Sequence, residues 1–373
     1  MRNTISLTVN QLACLLVAAS VGSAIIYIPA PLSHVAGNGS WLSVAGAYLF
    51  GMLTLGCVIY LHRRHGEAAG LFGYCRKLLG RAITPVVLVP VIGMLFFAVS
   101  AIVTGISDFF TSGMMPYTPP YVFCSVSLAA SALTARAGVK NTARMFVLLV
   151  PVMIVFSLVV LVLAMPLYDW GRLLPIADKG FKPLLHGLII AGGFPFGEVF
   201  LLSVFLPYTA KEDEKLLAKR LFRAFTVNGA LILISSLCTT AAFGPAADHF
   251  NYSLFHLASN ADVSGTNLRA ESVIGMALIL GSYMKATVFL IILNRLLVQL
   301  LGARDEAAFI YPASLVCVLL SLTLFSSPAD FLFQVYTIWP SLVIGIGCAL
   351  VFLLAALSWL RGRFEPRERS DGR

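Results

Sequence analysis

The chain has 373 residues, 59% of them hydrophobic and only 12% charged, with a mean hydropathy of +0.89. A soluble globule needs a polar surface that so small a charged share cannot supply. A soluble enzyme, a nucleic-acid binder and a secreted disulfide scaffold are therefore excluded, and the net charge of +9 fits basic cytoplasmic loops instead.

A spanning helix takes roughly 20 residues, and uncharged runs mark ten such spans in chain order. The first covers about 8–31, the second 41–61 and the third 82–110. A short fourth, 121–135, follows a turn holding Pro116, Pro119 and Pro120, and the fifth is 145–165. The sixth, 184–207, is interrupted by Gly192-Gly193-Phe194-Pro195-Phe196-Gly197. The seventh is 224–243, the eighth 271–297, the ninth 308–325 and the tenth 331–360, before a basic tail at 361–373. With the N-terminus inside, 21 of the 26 Lys and Arg residues fall on the inner side and 4 on the outer. The remaining one is Lys285, within the eighth span. That asymmetry predicts both the number of spans and cytoplasmic termini.

Between the second and third spans, 62–81 includes Ala68-Ala69-Gly70-Leu71-Phe72-Gly73-Tyr74 flanked by basic residues, a candidate amphipathic surface helix. The outer segments 168–183 and 244–270 are long, and the second carries Asp248, His249, His256 and Asp262. Both are candidate lids or partner contacts. Six of the seven cysteines fall inside apolar runs and none forms a CxxC, so they read as small packing residues. His62 and His65 complete no metal-ligand set, no P-loop occurs, and no cofactor or metal is expected. Asn38-Gly39-Ser40 and Asn251-Tyr252-Ser253 match the glycosylation pattern, but so short a motif carries little weight alone.

The spans divide into halves, about 8–165 and 184–360. Five spans per half is odd, so the second half must be inverted. The first helix of each half carries breakers: Val21-Gly22-Ser23-Ala24 then Pro29 in one, the Gly192–Gly197 stretch in the other. Matched interruptions in inverted halves point to a transporter-type binding site, where freed backbone groups face a polar cavity. Glycine that merely allows close packing is the alternative, weightier for Gly22 than for the Gly-Gly-Phe-Pro run.

With Ile5-Ser6-Leu7-Thr8 to Gln11, Gly22 to Pro29 with its Ile-Tyr-Ile-Pro end, Ala137-Gly138-Val139 to Ala143-Arg144, Leu173-Leu174-Pro175 to Gly180, Pro195-Phe196-Gly197-Glu198 and Arg269-Ala270-Glu271-Ser272 in this order, the chain resembles the spore germination permease family, the B subunit of germinant receptors, within the amino acid–polyamine–organocation superfamily. The resemblance implies an all-α membrane protein of ten helices, a five-plus-five inverted repeat with helices 1 and 6 broken (LeuT-like). It also implies a small-molecule germinant such as an amino acid, and partner A- and C-type subunits in the spore inner membrane. Two positions depart from the family: Lys140, where an acidic residue is commoner, and Lys285, where a small polar one is.

Two charged residues lie deep inside spans, away from either end. Glu198 follows the break in the sixth span directly, and a lone carboxylate in hydrocarbon costs roughly 3 kcal/mol unless paired or protonated. It is either proton-linked or ligand-facing, or else a protonated Glu bonding the frayed backbone. Lys285 lies too deep to snorkel easily, and Glu198 is its obvious partner. Lys285 either replaces a bound sodium ion, binds a ligand carboxylate, or forms a purely structural ion pair. Phe289 shares its helix face, while Tyr283 sits on a different one. Ser100 and Thr104 share a face of the third span and either line a cavity or bond back to their own helix. The candidate ligand-binding set is thus Gly22, Ser23, Ser100, Thr104, Phe194, Pro195, Glu198, Tyr283, Lys285 and Phe289, between helices 1, 3, 6 and 8. A receptor subunit and a proton-coupled amino-acid transporter both fit these residues, and the resemblance favours the receptor. A structural scaffold fits Glu198 and Lys285 poorly.

Overall fold

The computed structural model describes residues 6–66, 70–176, 179–209, 214–250, 252–260 and 270–364. Ile5, Ala68, Ala69, Asn251, Asp262, Arg269 and the tail from 365 onward lie outside the described residues. Among the described residues the chain is helical, with one isolated bridge between Leu7 and Thr209. The helices are α1 (Val9–Ser20), α2 (Ala24–Tyr27), α3 (Pro29–Ala36), α4 (Ser40–His65), α5 (Leu71–Leu78) and α6 (Ile83–Gly113). Then come α7 (Pro120–Arg136), α8 (Val139–Leu163), α9 (Phe181–Ala191), α10 (Glu214–Phe243) and α11 (Ser253–Asn260). The last are α12 (Ala270–Leu301), α13 (Ile310–Thr323), α14 (Pro328–Phe333), α15 (Trp339–Leu342) and α16 (Ala349–Phe364).

Helices occupy all ten expected positions, and among the described residues eight are long and apolar enough to cross a membrane. The other two, α7 with 17 residues and α13 with 14, fill the fourth and ninth places. The tenth span is compound: π-helical stretches at Gln334–Ile338 and Val343–Cys348 flank α15. Pro340 explains the first of these, because a proline ring clashes with the carbonyl one turn back and widens the helix there.

Burial sorts the helices into centre and rim. The most hydrophobic windows of Val9–Tyr27, Phe181–Val204 and Glu271–Leu301 are 72%, 89% and 78% buried, against 33% for Val139–Leu163. The two broken helices and α12 therefore form the interior, with α6, α8 and α10 packed around them. Large apolar side chains such as Leu49, Val86, Val126, Leu148 and Leu319 face outward from the rim. An apolar exterior over an interior holding the polar groups is what hydrocarbon solvent selects.

The first break follows from its glycine. α1 starts at a capping box between Thr8 and Gln11 and runs to Ser20. The ladder then resumes with Ala24 donating to Val21 and Tyr27 to Ser23, leaving Gly22 and Ser23 outside it as donors. The second break needs three residues. Gly192 and Gly193 weaken the helix, Pro195 removes a donor, and the residue before a proline is pushed toward extended geometry. That residue is Phe194, at φ −125° and ψ 114°. The chain continues as a 3₁₀-helix over Gly197–Val204. Its far end returns to the start of α1, where Leu7 N–H donates to Tyr208 O at 2.6 Å. The two broken helices thus run in opposite directions.

The expected surface helix is α5. It buries Leu71, Tyr74, Cys75 and Leu78 at helical spacing against α6 and α16. Burial pushes the Cys75 thiol up to about 12. All seven cysteines are free.

Candidate functional site

Three elements converge where the breaks meet. Gly22 and Gly281 of α12 approach backbone to backbone: a β-carbon on Gly281 would sit 2.3 Å from Gly22 O, and one on Gly22 would sit 3.0 Å from both Gly281 O and Lys285 Cβ. One helical turn on from Gly281, Lys285 points from α12 toward the second break. Its Nζ donates to Glu198 Oε2 at 2.7 Å, and both side chains are 1% exposed. The other carboxylate oxygen, Oε1, accepts from the Trp339 indole N–H at 2.9 Å. The ammonium lies 4.3 Å from the Phe194 ring centre and 5.4 Å from that of Phe289. Both aromatic faces add cation–π attraction in a dry site.

The pairing has a simple cause. Each charge alone in hydrocarbon is expensive, and each finds its complement only through the other. The non-helical backbone at Phe194 brings that ring over the ammonium and leaves Glu198 on the first turn of the next helix.

A cavity of about 420 Å³, its mouth included, opens beside the pair. Of the ten candidate residues, Ser23, Phe194, Glu198, Lys285 and Phe289 line it. Gly22 and Pro195 shape the backbone around it without lining it. Ser100 and Thr104 are turned away: Ser100 Oγ donates to Cys317 O at 3.1 Å and Thr104 Oγ1 to Ser321 O at 3.1 Å. Thr104 also donates to Ser100 O, so this pair ties α6 to α13. Tyr283 shares a hydrogen bond of 2.5 Å with Thr134 on α7, and its ring packs edge-on against Phe146.

The sequence reading missed the tenth helix. Phe331, Val335 and Trp339 line the cavity from it. It also missed Tyr27, whose hydroxyl donates to Gly105 O at 2.6 Å and whose carbonyl accepts from Tyr336 at 3.0 Å. Ala98, Ala101 and Gly105 give α6 a smooth wall opposite the ion pair. The signal for Trp339 was an indole N–H well inside an apolar span, which needs an acceptor when buried.

Comparison with known proteins agrees with this geometry. Spore germination protein KB of Bacillus subtilis (strain 168) is 22% identical over 98% of this chain and 97% of its own length. Spore germination protein XB of Bacillus anthracis is 26% identical over 46% of this chain, a match that spans 47% of that relative. Among solved structures, MhsT in complex with L-phenylalanine superposes with a TM-score of 0.69 at 13% identity, covering 94% of this chain and 88% of its own. The nucleobase-cation-symport-1 transporter MHP1, closed with bromovinylhydantoin bound, gives 0.69 at 12% identity over 99% and 82%. A Na+-coupled sialic acid symporter gives 0.69 at 10% identity over 98% and 92%. These likenesses show the fold, the LeuT-like architecture with its first and sixth helices broken, in a multi-pass membrane protein. Residues 6–329 match the family described as spore germination protein, and the chain belongs to that family.

Proposed function

We propose that this protein is the membrane subunit of a germinant receptor in the spore inner membrane, with both termini cytoplasmic. It binds a small amino acid beside Glu198 and Lys285 and passes its occupancy to A- and C-type partner subunits. One observation carries the reading. A buried ammonium and a buried carboxylate share an otherwise largely apolar cavity, and Lys285 donates to no described acceptor except Glu198. Two of its three N–H groups are left for a ligand. A zwitterion offers a carboxylate to Lys285 and an ammonium to Glu198, so it complements both halves of the pair. The flat wall of Ala98, Ala101 and Gly105 suits a small apolar side chain. Binding would favour one arrangement of the bundle, and partners that read that arrangement would receive the signal.

Labelled amino-acid binding and uptake by purified protein in liposomes, with and without a pH gradient, tests this. Saturable binding without accumulation, lost in Lys285→Ala, is the expected result. Gradient-driven accumulation that disappears in Glu198→Gln would instead make the protein a proton-coupled transporter. No saturable amino-acid signal in either format would remove amino acids as the ligand class.

A further inference from the structure

A second cavity of about 250 Å³, its mouth included, lies on the other side of Glu198. It is lined by Ala19 and Ser20 of α1, by Leu201 and Leu202 beyond the second break, and by Val288 and Ile292 of α12, among others. Glu198 is the lining residue it shares with the first cavity. The order along each element separates the two spaces. On α1 and α2, Ser20 faces the second cavity, and Ser23 and Tyr27, past the break, face the first. On α12, Lys285 and Phe289 face the first, and Val288 and Ile292 the second. Glu198 therefore stands in the partition, at the level of both breaks.

The two sides of the carboxylate differ. Its recorded partners, Lys285 from α12 and Trp339 from α15, both belong to the first cavity. Tyr27 from α2 is the other titratable group lining that cavity. The second cavity presents Ser20 as its one polar lining side chain besides Glu198. Cys348 reaches the same segment only through Gly197 O, at 3.5 Å. A carboxylate held from one side and bare on the other has a free face from which to accept a proton.

We propose that Glu198 exchanges its proton through the second cavity. A hydronium ion there gives its proton to a carboxylate oxygen, an O–H bond forms, and water is left behind. Lys285 keeps its charge and loses its anion, so the site gains one positive charge. A zwitterionic ligand in the first cavity brings no net charge, and its ammonium loses the anion it meets at Glu198. Proton and ligand then oppose each other reciprocally. That coupling rests on the ligand reading above, whereas the proton exchange itself does not.

The test uses ligand-free protein in lipid nanodiscs, so a wrong ligand class leaves it untouched. Infrared difference spectra taken as pH is lowered are expected to gain a carboxylic-acid C=O band that is absent in Glu198→Gln. Hydrogen–deuterium exchange of that band is expected to slow severalfold in Ala19→Leu, which fills the second cavity at a partly exposed position. Ser20→Ala, which removes only the hydroxyl, is expected to slow it as well. A spectrum without a Glu198-dependent band at any pH would overturn the proposal. So would exchange unaffected by both second-cavity variants, or exchange slowed instead by Ala101→Leu in the first cavity.

Discussion

The two breaks interrupt their helices by different means. At 21–23 the device is backbone: Gly22 lies against Gly281, and only Ser23 adds a side chain to the cavity. At Gly192–Phe196 glycines also permit close approach, with a β-carbon on Gly193 falling 2.2 Å from Pro340 Cα. There the break additionally delivers Phe194 and Glu198 to the site. The first break therefore sets how closely α1 and α12 pack, and the second sets the charge and aromatic surface of the cavity. Substitutions at the first should be felt as packing, and at the second as electrostatics.

The largest expected effect breaks the electrostatic side. Lys285→Ala strands Glu198 and should lower stability by about 3–5 kcal/mol, whereas Lys285→Met with Glu198→Leu should recover much of that loss. Thermal unfolding in detergent, followed by tryptophan fluorescence, checks both. If the double variant is no more stable than the single one, the pair is not what holds this region. Gly281→Ala probes the packing side. Its methyl group meets the backbone of Gly22, which cannot swing aside, and overpacking of this kind costs about 1–3 kcal/mol. A normal unfolding temperature would mean that α1 and α12 separate easily. The smallest effect sharpens the contrast from outside the site. Ser100→Ala removes one bond between α6 and α13 and should cost about 0.6 kcal/mol, a typical value for such bonds in membranes. Ligand response should be unchanged, and a lost response would place Ser100 in the recognition path after all.

The Glu198–Lys285 pair was legible in the sequence although 87 residues separate its members. Charges inside apolar runs are rare, and each demands a partner, so two of them nearly assign each other. The breaks were legible because glycine and proline act locally on the backbone. The directions of Ser100, Thr104 and Tyr283 were not. A hydroxyl on a spanning helix can bond its own turn, a neighbour or a cavity, and the rotation of the helix decides. That rotation is set here by α7 and α13, whose own sequences carry no mark of which side they cover. The role of the tenth helix was hidden for a related reason: a tryptophan among many apolar residues gives no hint of which carboxylate it will meet.

Tyr27 has a consequence for how the cavity responds. The residue is pinned at both ends of its own framework, by its ring hydroxyl to α6 and by its backbone carbonyl to Tyr336 of the tenth helix. Any displacement of α2 away from both α6 and the tenth helix would break both bonds. A closure with two simultaneous fastenings resists small disturbances and yields abruptly to large ones. That is threshold behaviour.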